Sequence, residues 1–337
     1  MHLTALRLAT AVATCCSVAA VPGRIVAQST PETRQPAMTR HVSTEVEGIA
    51  IGSRGTVHVI TRYPTADLRV HRDGSSNLVK LDPNFYPVGV GVTAQDTVWI
   101  AFSVDRGRSR KSLFAGILPT GRVRYVPVPR SARFVRGLYS TNAMAPTPDG
   151  RYLWYAGADG GFTRLALAEM TTISFPRDHE GELTVDRYGT AWFPSRGNLM
   201  SVAETGRVAH TYPNAIPSAA GSVLSMSAAQ DGTIWFMTAR DQHIHWFDPR
   251  TQERGDCAKD SSVMRGPGRV QGLRDSAVYA ADPQPVEIGR DCIVRAYYAV
   301  PARRAVYLSY SPAAGVLAVA GGLSVSTFDL AHEQSFR

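Results

Sequence analysis

Three ionisable residues lie close together in the middle of the chain, where His179 is followed by Glu180 and Glu182. A neutral imidazole can act as a general base, and carboxylate oxygens bind Mg²⁺. We therefore predict these residues as the candidate catalytic group, with Mg²⁺ as the cofactor that would serve it. In an extended segment, Glu180 and Glu182 would share a side and His179 would point away. A solvated loop without chemistry is the alternative.

Two further histidines, His243 and His245, have the spacing that places both imidazoles on one side of a strand. A zinc site needs at least a third protein ligand, and the sequence offers none nearby. Strand packing is the favoured interpretation of His245, whereas His243 is kept as a candidate ligand-binding residue.

The basic residues are almost all arginines: of 36 Lys and Arg residues, the lysines are Lys80, Lys111 and Lys259, and the formal net charge is +8. A guanidinium binds carboxylate or phosphate through two parallel hydrogen bonds. The bias therefore indicates either a GC-rich genome or a surface that binds anions. The candidate ligand-binding arginines are Arg62, Arg106, Arg108, Arg110, Arg133, Arg136, Arg196 and Arg240. Arg69, Arg72, Lys111 and Arg130 are expected in the same loops.

Seven short segments with the pattern of a β-strand recur along the chain and must position these residues. Their aligned third positions are His58, Trp99, Trp154, Trp192, Trp235, Tyr279 and Ala318. Neighbouring positions are 38 to 55 residues apart, and 43 on average. Most copies follow a tight turn such as Asp231-Gly232, and apolar runs flank them. Four short strands per repeat predict an all-β fold, a β-propeller of seven four-stranded antiparallel blades.

The repeated tryptophans are interpreted as packing between blades and not as a cofactor site. The last repeat offers three strands, near residues 305–310, 315–319 and 322–329. Residues 39–44 are well placed to add its fourth strand, which would close the ring and remove an exposed edge. We therefore predict one propeller domain over residues 39–337, with residues 28–38 as a flexible tether. Six or eight blades are the alternatives, should a degenerate copy be miscounted.

The first 27 residues have the pattern of a signal peptide: Arg7 is followed by the apolar run Leu8–Ala20 and by small residues up to Ala27. That run is too short to span a bilayer, and we predict no transmembrane segment. We expect export to the periplasm or beyond, without lipid attachment. Export permits a disulfide between Cys257 and Cys292. The sequence leaves that bond open, because the two residues are predicted on outer strands of different blades.

In a propeller, the loops that lead into the first strand of each blade share one face with the loops between its second and third strands. We call it the loop face. We predict that the ligand-binding arginines gather there and attract an anionic small molecule, glycan or peptide. We expect no nucleic-acid partner, since no motif that reads nucleic acid is present, and we expect a monomer.

The segments Asp231–Phe236 and Asn77–Pro83 resemble the repeats of the virginiamycin B lyase family and of related NHL-type propellers. The resemblance implies the propeller fold and a carbon–oxygen lyase that opens a cyclic depsipeptide ester, with a histidine base and Mg²⁺ held near glutamate. Family blades often contain Trp-Phe-Thr-Glu, and the glutamate position here holds Ser195 after Trp192 and Thr238 after Trp235. A ligand-binding propeller and a lyase with a rebuilt centre at His179, Glu180 and Glu182 are therefore the two hypotheses.

Overall fold

The computed structural model describes residues 31–106, 109–128, 144–156, 161–175, 182–218, 220–241, 243–258, 269–301 and 307–330. The backbone alone is described for residues 23–24, 104–106 and 109–111. Every regular element in this part of the chain is a β-strand. The described residues contain no helix long and apolar enough to cross a membrane.

The strands group into seven sheets. Three strands come before the first blade: β1 (Gly23–Arg24), β2 (Glu32–Arg34) and β3 (Met38–His41). Blade one contains β4 (Val46–Ile51), β5 (Val57–Arg62), β6 (Thr65–Val70) and β7 (Ser76–Lys80). Blade two contains β8 (Phe85–Val92), β9 (Val98–Arg106), β10 (Ser109–Ile117) and β11 (Val123–Pro127). Blade three contains β12 (Met144–Pro146), β13 (Tyr152–Ala156), β14 (Phe162–Ala166) and β15 (Thr172–Ser174).

The remaining blades follow the same plan. Blade four contains β16 (Thr184–Val185), β17 (Ala191–Ser195), β18 (Asn198–Val202) and β19 (Val208–Tyr212). Blade five contains β20 (Val223–Ala228), β21 (Ile234–Thr238), β22 (Ile244–Phe247) and β23 (Arg254–Ala258). Blade six contains β24 (Val270–Gly272), β25 (Ser276–Tyr279), β26 (Val286–Gly289) and β27 (Val294–Tyr298). Blade seven contains β28 (Tyr307–Ser311), β29 (Val316–Gly321) and β30 (Ser324–Asp329), completed by β3.

Within each blade the consecutive strands pair antiparallel, and the first strands of neighbouring blades contact one another around the ring. The predicted seven-bladed all-β propeller is therefore confirmed. All seven aligned positions of the repeat fall in the second strands of their blades. The closing strand is confirmed as well: β3 pairs antiparallel with β30, with Met38 opposite Thr327.

The core consists of seven apolar clusters, one at each interface between neighbouring blades. Trp99, Trp154, Trp192 and Trp235 are all buried in these clusters. The clusters explain why the second strands are apolar on both sides: each sheet is covered by a neighbour on either face. The tryptophans are structural, as predicted, and truncation of such a residue to alanine costs about 3–5 kcal/mol.

The N-terminal segment departs from the prediction of a flexible tether. Its residues Glu32–Arg34 form β2, which pairs in parallel with the outer edge of β27 in blade six. Arg34 explains the attachment, because its Nη1 donates to Glu287 Oε2 at 2.8 Å and to the Tyr298 hydroxyl at 2.6 Å. The two residues of β1 pair in parallel with β23 of blade five.

Blades five and six are also joined covalently. Cys257 on β23 forms a disulfide with Cys292, in the turn before β27, and their Cα atoms are 5.3 Å apart. That separation lies within the usual range for a disulfide. The sequence had left the bond open because it placed both cysteines on outer strands of neighbouring blades, whereas Cys292 lies in the turn between β26 and β27.

Candidate functional site

The loop face carries many of the predicted residues, but several lie outside the described part of the chain. His179, Glu180, Arg108, Arg133 and Arg136 belong to this group. For Arg106 and Arg110 the backbone alone is described. Arg106 is the last residue of β9 and lies opposite Ser109 in the strand register. Arg110 of β10 lies opposite Asp105 of β9. The predicted basic loop of blade two is therefore the tip of an extended hairpin.

Two arginines of blade one are not in the loop where they were expected. The turn between β5 and β6 is short, since Arg62 pairs with Thr65 across it. Arg69 consequently lies within β6, where it is buried and its Nε donates to Asp67 Oδ2 at 3.0 Å. Asp67 also lies 3.2 Å from His58 Nδ1. Arg72 lies in the turn after β6 and pairs with Asp329 of blade seven. Both arginines therefore bind carboxylates of the protein itself.

Arg62 belongs to a charged cluster where the first strands begin, at the mouth of the central channel. We call it the channel-mouth cluster: Glu47, Arg62, Tyr86, Glu182, Arg269 and Tyr307. The Arg62 guanidinium lies 3.7 Å from Glu47 Oε1 and 4.1 Å from the centre of the Tyr86 ring. The Arg269 guanidinium lies 3.9 Å from Glu182 Oε1 and 5.4 Å from the centre of the Tyr307 ring. Each guanidinium therefore faces a carboxylate and an aromatic ring, and Arg62 also lies 4.8 Å from the centre of the Tyr63 ring.

The electrostatics of Tyr307 show that these residues converge. Burial raises the pKa of the Tyr307 phenol to about 12, and the negative charge of Glu47 acts in the same direction. The positive charge of Arg269 opposes the shift. At neutral pH the phenol is protonated and can donate a hydrogen bond at the channel mouth.

Glu182 is the described member of the predicted catalytic group. It is buried, with 4% of its surface exposed, and its Oε1 lies 3.9 Å from the Arg269 guanidinium. Within the described residues, no three His, Cys, Asp or Glu side chains are grouped so that they could hold a metal ion. The structure thus brings Glu182 together with a cation, and its predicted companions His179 and Glu180 lie beyond the described residues.

Two predicted ligand-binding residues, Arg196 and Arg240, line one cavity of about 680 Å³ on the loop face between blades four and five. We call it the interblade cavity. Arg196 and Gly197 form the two-residue turn between β17 and β18, with φ angles of 46° and 79°. A two-residue hairpin favours positive φ at both positions. The turn fixes the backbone from which Arg196 extends.

Arg240 follows β21 and packs closely over Gly221. A Cβ atom at Gly221 would lie 2.9 Å from Arg240 Cγ, and the φ angle of Gly221 is +78°. Glycine is therefore required both for the conformation and for the approach of the arginine. Arg240 N also donates to Ala220 O at 3.0 Å, which ties the turn to the loop before β20.

The interblade cavity has a positive wall. Ser218 and Ser222 contribute hydroxyl groups, and none of the described lining residues is acidic. Asp241, the carboxylate next to Arg240 in sequence, pairs with His245 instead. The described part of the cavity wall therefore presents guanidinium and hydroxyl donors and no carboxylate.

The two histidines of blade five have separate partners below this cavity. His243 Nδ1 lies 2.6 Å from Asp256 Oδ2, and His245 Nε2 lies 3.2 Å from Asp241 Oδ2. His245 is buried and stacks on Phe236 with ring centres 5.0 Å apart, consistent with the packing interpretation. Burial lowers the pKa of His245, and the charge of Asp241 opposes that shift.

Sequence reasoning missed most of the channel-mouth cluster. Glu47, Tyr86, Arg269 and Tyr307 are polar or charged, and each lies at the start of a first strand. In the repeat, the residues that begin each first strand meet at the channel. Aligning those positions would have nominated all four, whereas attention to clusters along the sequence found Glu182 and Arg62 only.

No model of a known protein family matches the chain, and no curated protein does. Among solved structures, virginiamycin B lyase from Staphylococcus aureus is similar, with a TM-score of 0.64 at 12% identity over 86% of this chain and 97% of that chain. A propeller domain from Myceliophteria thermophila gives 0.63 at 11% identity over 87% of this chain and 99% of that chain. A chain of the mitotic checkpoint complex gives 0.63 at 11% identity over 98% of both chains. At such identities these likenesses show the β-propeller fold alone, which hosts varied functions.

Proposed function

We propose that this protein is an exported propeller that binds an anionic ligand in the interblade cavity. The observation that carries the proposal is the composition of the cavity wall: Arg196 and Arg240 line it, and no described lining residue is acidic. Hydrogen bonds from a guanidinium to an anion are about twice as strong as bonds between neutral groups. An anionic ligand would therefore meet two guanidinium groups in this wall.

Export is supported by two independent features. Residues 1–27 have the charge and hydropathy pattern of a signal peptide. The Cys257–Cys292 disulfide fits an oxidising compartment, where such bonds persist. Export would put the cavity in contact with periplasmic or extracellular molecules, among which acidic sugars and acidic peptides carry the required charge.

The test is calorimetric titration with glucose 6-phosphate, with glucose as the uncharged counterpart. We expect the phosphate ester to bind, glucose to bind far more weakly, and the affinity to fall as salt is raised. Loss of one charge-assisted hydrogen bond costs about 1.5–3 kcal/mol, so Arg240→Ala and Arg196→Ala should each weaken binding roughly 10- to 100-fold.

Arg207→Ala is the matched control, since Arg207 is an exposed arginine of blade four outside the cavity. It should bind as the wild type does. Equal binding of glucose and its phosphate, or equal losses in the Arg240 and Arg207 variants, would contradict the proposal. An acidic dipeptide in place of the sugar phosphate would show whether a peptide-like anion is preferred.

The alternative function is a carbon–oxygen lyase centred on His179, Glu180 and Glu182. It draws on the resemblance of the repeats and on the position of the buried Glu182 at the channel mouth, beside Arg269. Incubation with quinupristin and Mg²⁺, followed by mass spectrometry of the ligand, tests it. A linearised product that is lost in Glu182→Ala would favour the lyase, and an unchanged ligand would reject it.

A further inference from the structure

A second cavity, of about 420 Å³, lies at the other end of the central channel from the channel-mouth cluster. We call it the channel cavity. The first strands of all seven blades and the turns that follow them line it. Its volume is within the roughly 300–1,000 Å³ typical of small-molecule sites. It shares no lining residue with the interblade cavity.

The wall of the channel cavity is mainly apolar. The partly exposed apolar residues that line it include Val90, Val92, Ala145, Pro146, Val185 and Ala228. They come from blades two to five, so the apolar surface extends over several blades. Contact with such a wall favours a ligand with little polar surface.

The charged groups at the rim already have partners. The Asp186 carboxylate accepts hydrogen bonds from the backbone of Tyr188 and Thr190 and from Trp192 Nε1. The Arg187 guanidinium lies 4.7 Å from the centre of the Tyr188 ring and donates to its hydroxyl. Arg187 is exposed to solvent. A charged ligand that entered the apolar part of the cavity would lose its hydration, which is costly.

One polar group in the wall offers an acceptor. Gln271 Nε2 donates to Ser227 Oγ and to Gly272 O, both at 3.0 Å, and these bonds fix the orientation of the amide. Within the described residues, no donor contacts Gln271 Oε1. Gln271 Oε1 is therefore an acceptor for a ligand in the channel cavity.

We propose that the channel cavity binds a small, uncharged, mainly apolar molecule that donates one hydrogen bond to Gln271 Oε1. This site is independent of anion binding in the interblade cavity. The two sites differ in face, in wall chemistry and in ligand class, so each can fail without the other.

The probe is N-phenyl-1-naphthylamine, an uncharged aromatic amine with one N–H donor whose fluorescence rises in apolar surroundings. We expect saturable binding with one molecule per chain. Ala228 lines the cavity and is half-buried, so Ala228→Phe should fill the space and weaken binding at least tenfold. Gln271→Leu keeps the size of the side chain but removes the acceptor, and should weaken binding about three- to tenfold.

Ala209→Phe is the matched control, because Ala209 is exposed on β19 at the outer edge of blade four. It should bind the probe as the wild type does, and Arg240→Ala should do the same. Circular dichroism and thermal melting check that each variant is folded. Should Ala228→Phe not fold, Gln271→Leu decides. Unchanged affinity in Gln271→Leu together with unchanged affinity in a folded Ala228→Phe, or an equal loss in Ala209→Phe, would overturn the proposal.

Discussion

The interblade cavity and the channel-mouth cluster lie on the same face and each contains two arginines, yet their chemistry differs. At the channel mouth, Arg62 and Arg269 each face a carboxylate and an aromatic ring. Arg196 and Arg240 line the interblade cavity, and none of its described lining residues is acidic. The same side chain lies beside a carboxylate in one place and lines a cavity without a described carboxylate in the other. The neighbouring side chains make this difference, and the carboxylate comes from the same blade for Arg62 and from another blade for Arg269.

The largest effect is expected where an arginine is most completely enclosed. Arg69 is buried against Asp67, and its guanidinium also donates to the carbonyls of Leu118 and Pro119 in blade two. Arg69→Met would leave Asp67 buried without its cation, and breaking such a pair costs about 3–5 kcal/mol. We expect that loss in the free energy of unfolding, measured by urea titration.

Arg72→Met is the matched control in the same blade. Its side chain is half-exposed and pairs with Asp329, and exposed ion pairs contribute about 0–1 kcal/mol. A similar loss in both variants would mean that burial does not separate the two arginines.

The second prediction concerns a change that makes the channel-mouth cluster more like the interblade cavity. Glu182→Gln would remove one negative charge from beside Arg269, so the channel mouth would become more positive and closer in charge to the interblade cavity. We expect a second, weaker site for glucose 6-phosphate, seen as a change in calorimetric stoichiometry from one to two. We also expect a stability loss of about 1–3 kcal/mol from the lost charged contact.

Glu204→Gln provides the control. Glu204 pairs with Arg151 on the surface, and Arg151 keeps its bond to Asp149 when Glu204 is neutral. No new site should appear. Binding that stays at one site in Glu182→Gln would show that the carboxylate is not what prevents anion binding at the mouth.

The fold could be predicted almost entirely because the repeat carries it. Six of the seven copies place an apolar or aromatic residue at the aligned position, so Trp99 and Trp235 reveal the architecture before any tertiary contact is known. The prediction of a flexible tether was wrong because the attachment of the N-terminal segment depends on one long-range partner. Arg34 reaches Glu287, more than 250 residues away, and composition alone carries no trace of that contact.

The sites were predicted less well for a physical reason. Arg196 and Arg240 were nominated correctly for the loop face because both follow second strands, where position in the repeat fixes the location. Arg69 was misplaced because the turn at Arg62 is only two residues long, which shifts everything after it into β6. Whether an arginine is neutralised depends on side chains from other blades, as with Arg269 and Glu182. Local pattern does not contain that information.

The smallest effect concerns a group that burial keeps uncharged, beside the interblade cavity. Burial lowers the pKa of His245 below its usual value of 6.5. Below about pH 6.5 the unfolded chain therefore binds a proton that the folded chain does not, so the unfolding free energy should fall as pH is lowered from 7 to 5. His245→Gln cannot titrate and should show a shallower fall, measured by urea titration at each pH. His210→Gln, at an exposed position of β19, controls for the loss of an imidazole. Equal slopes in wild type and His245→Gln would mean that the buried histidine does not set this dependence.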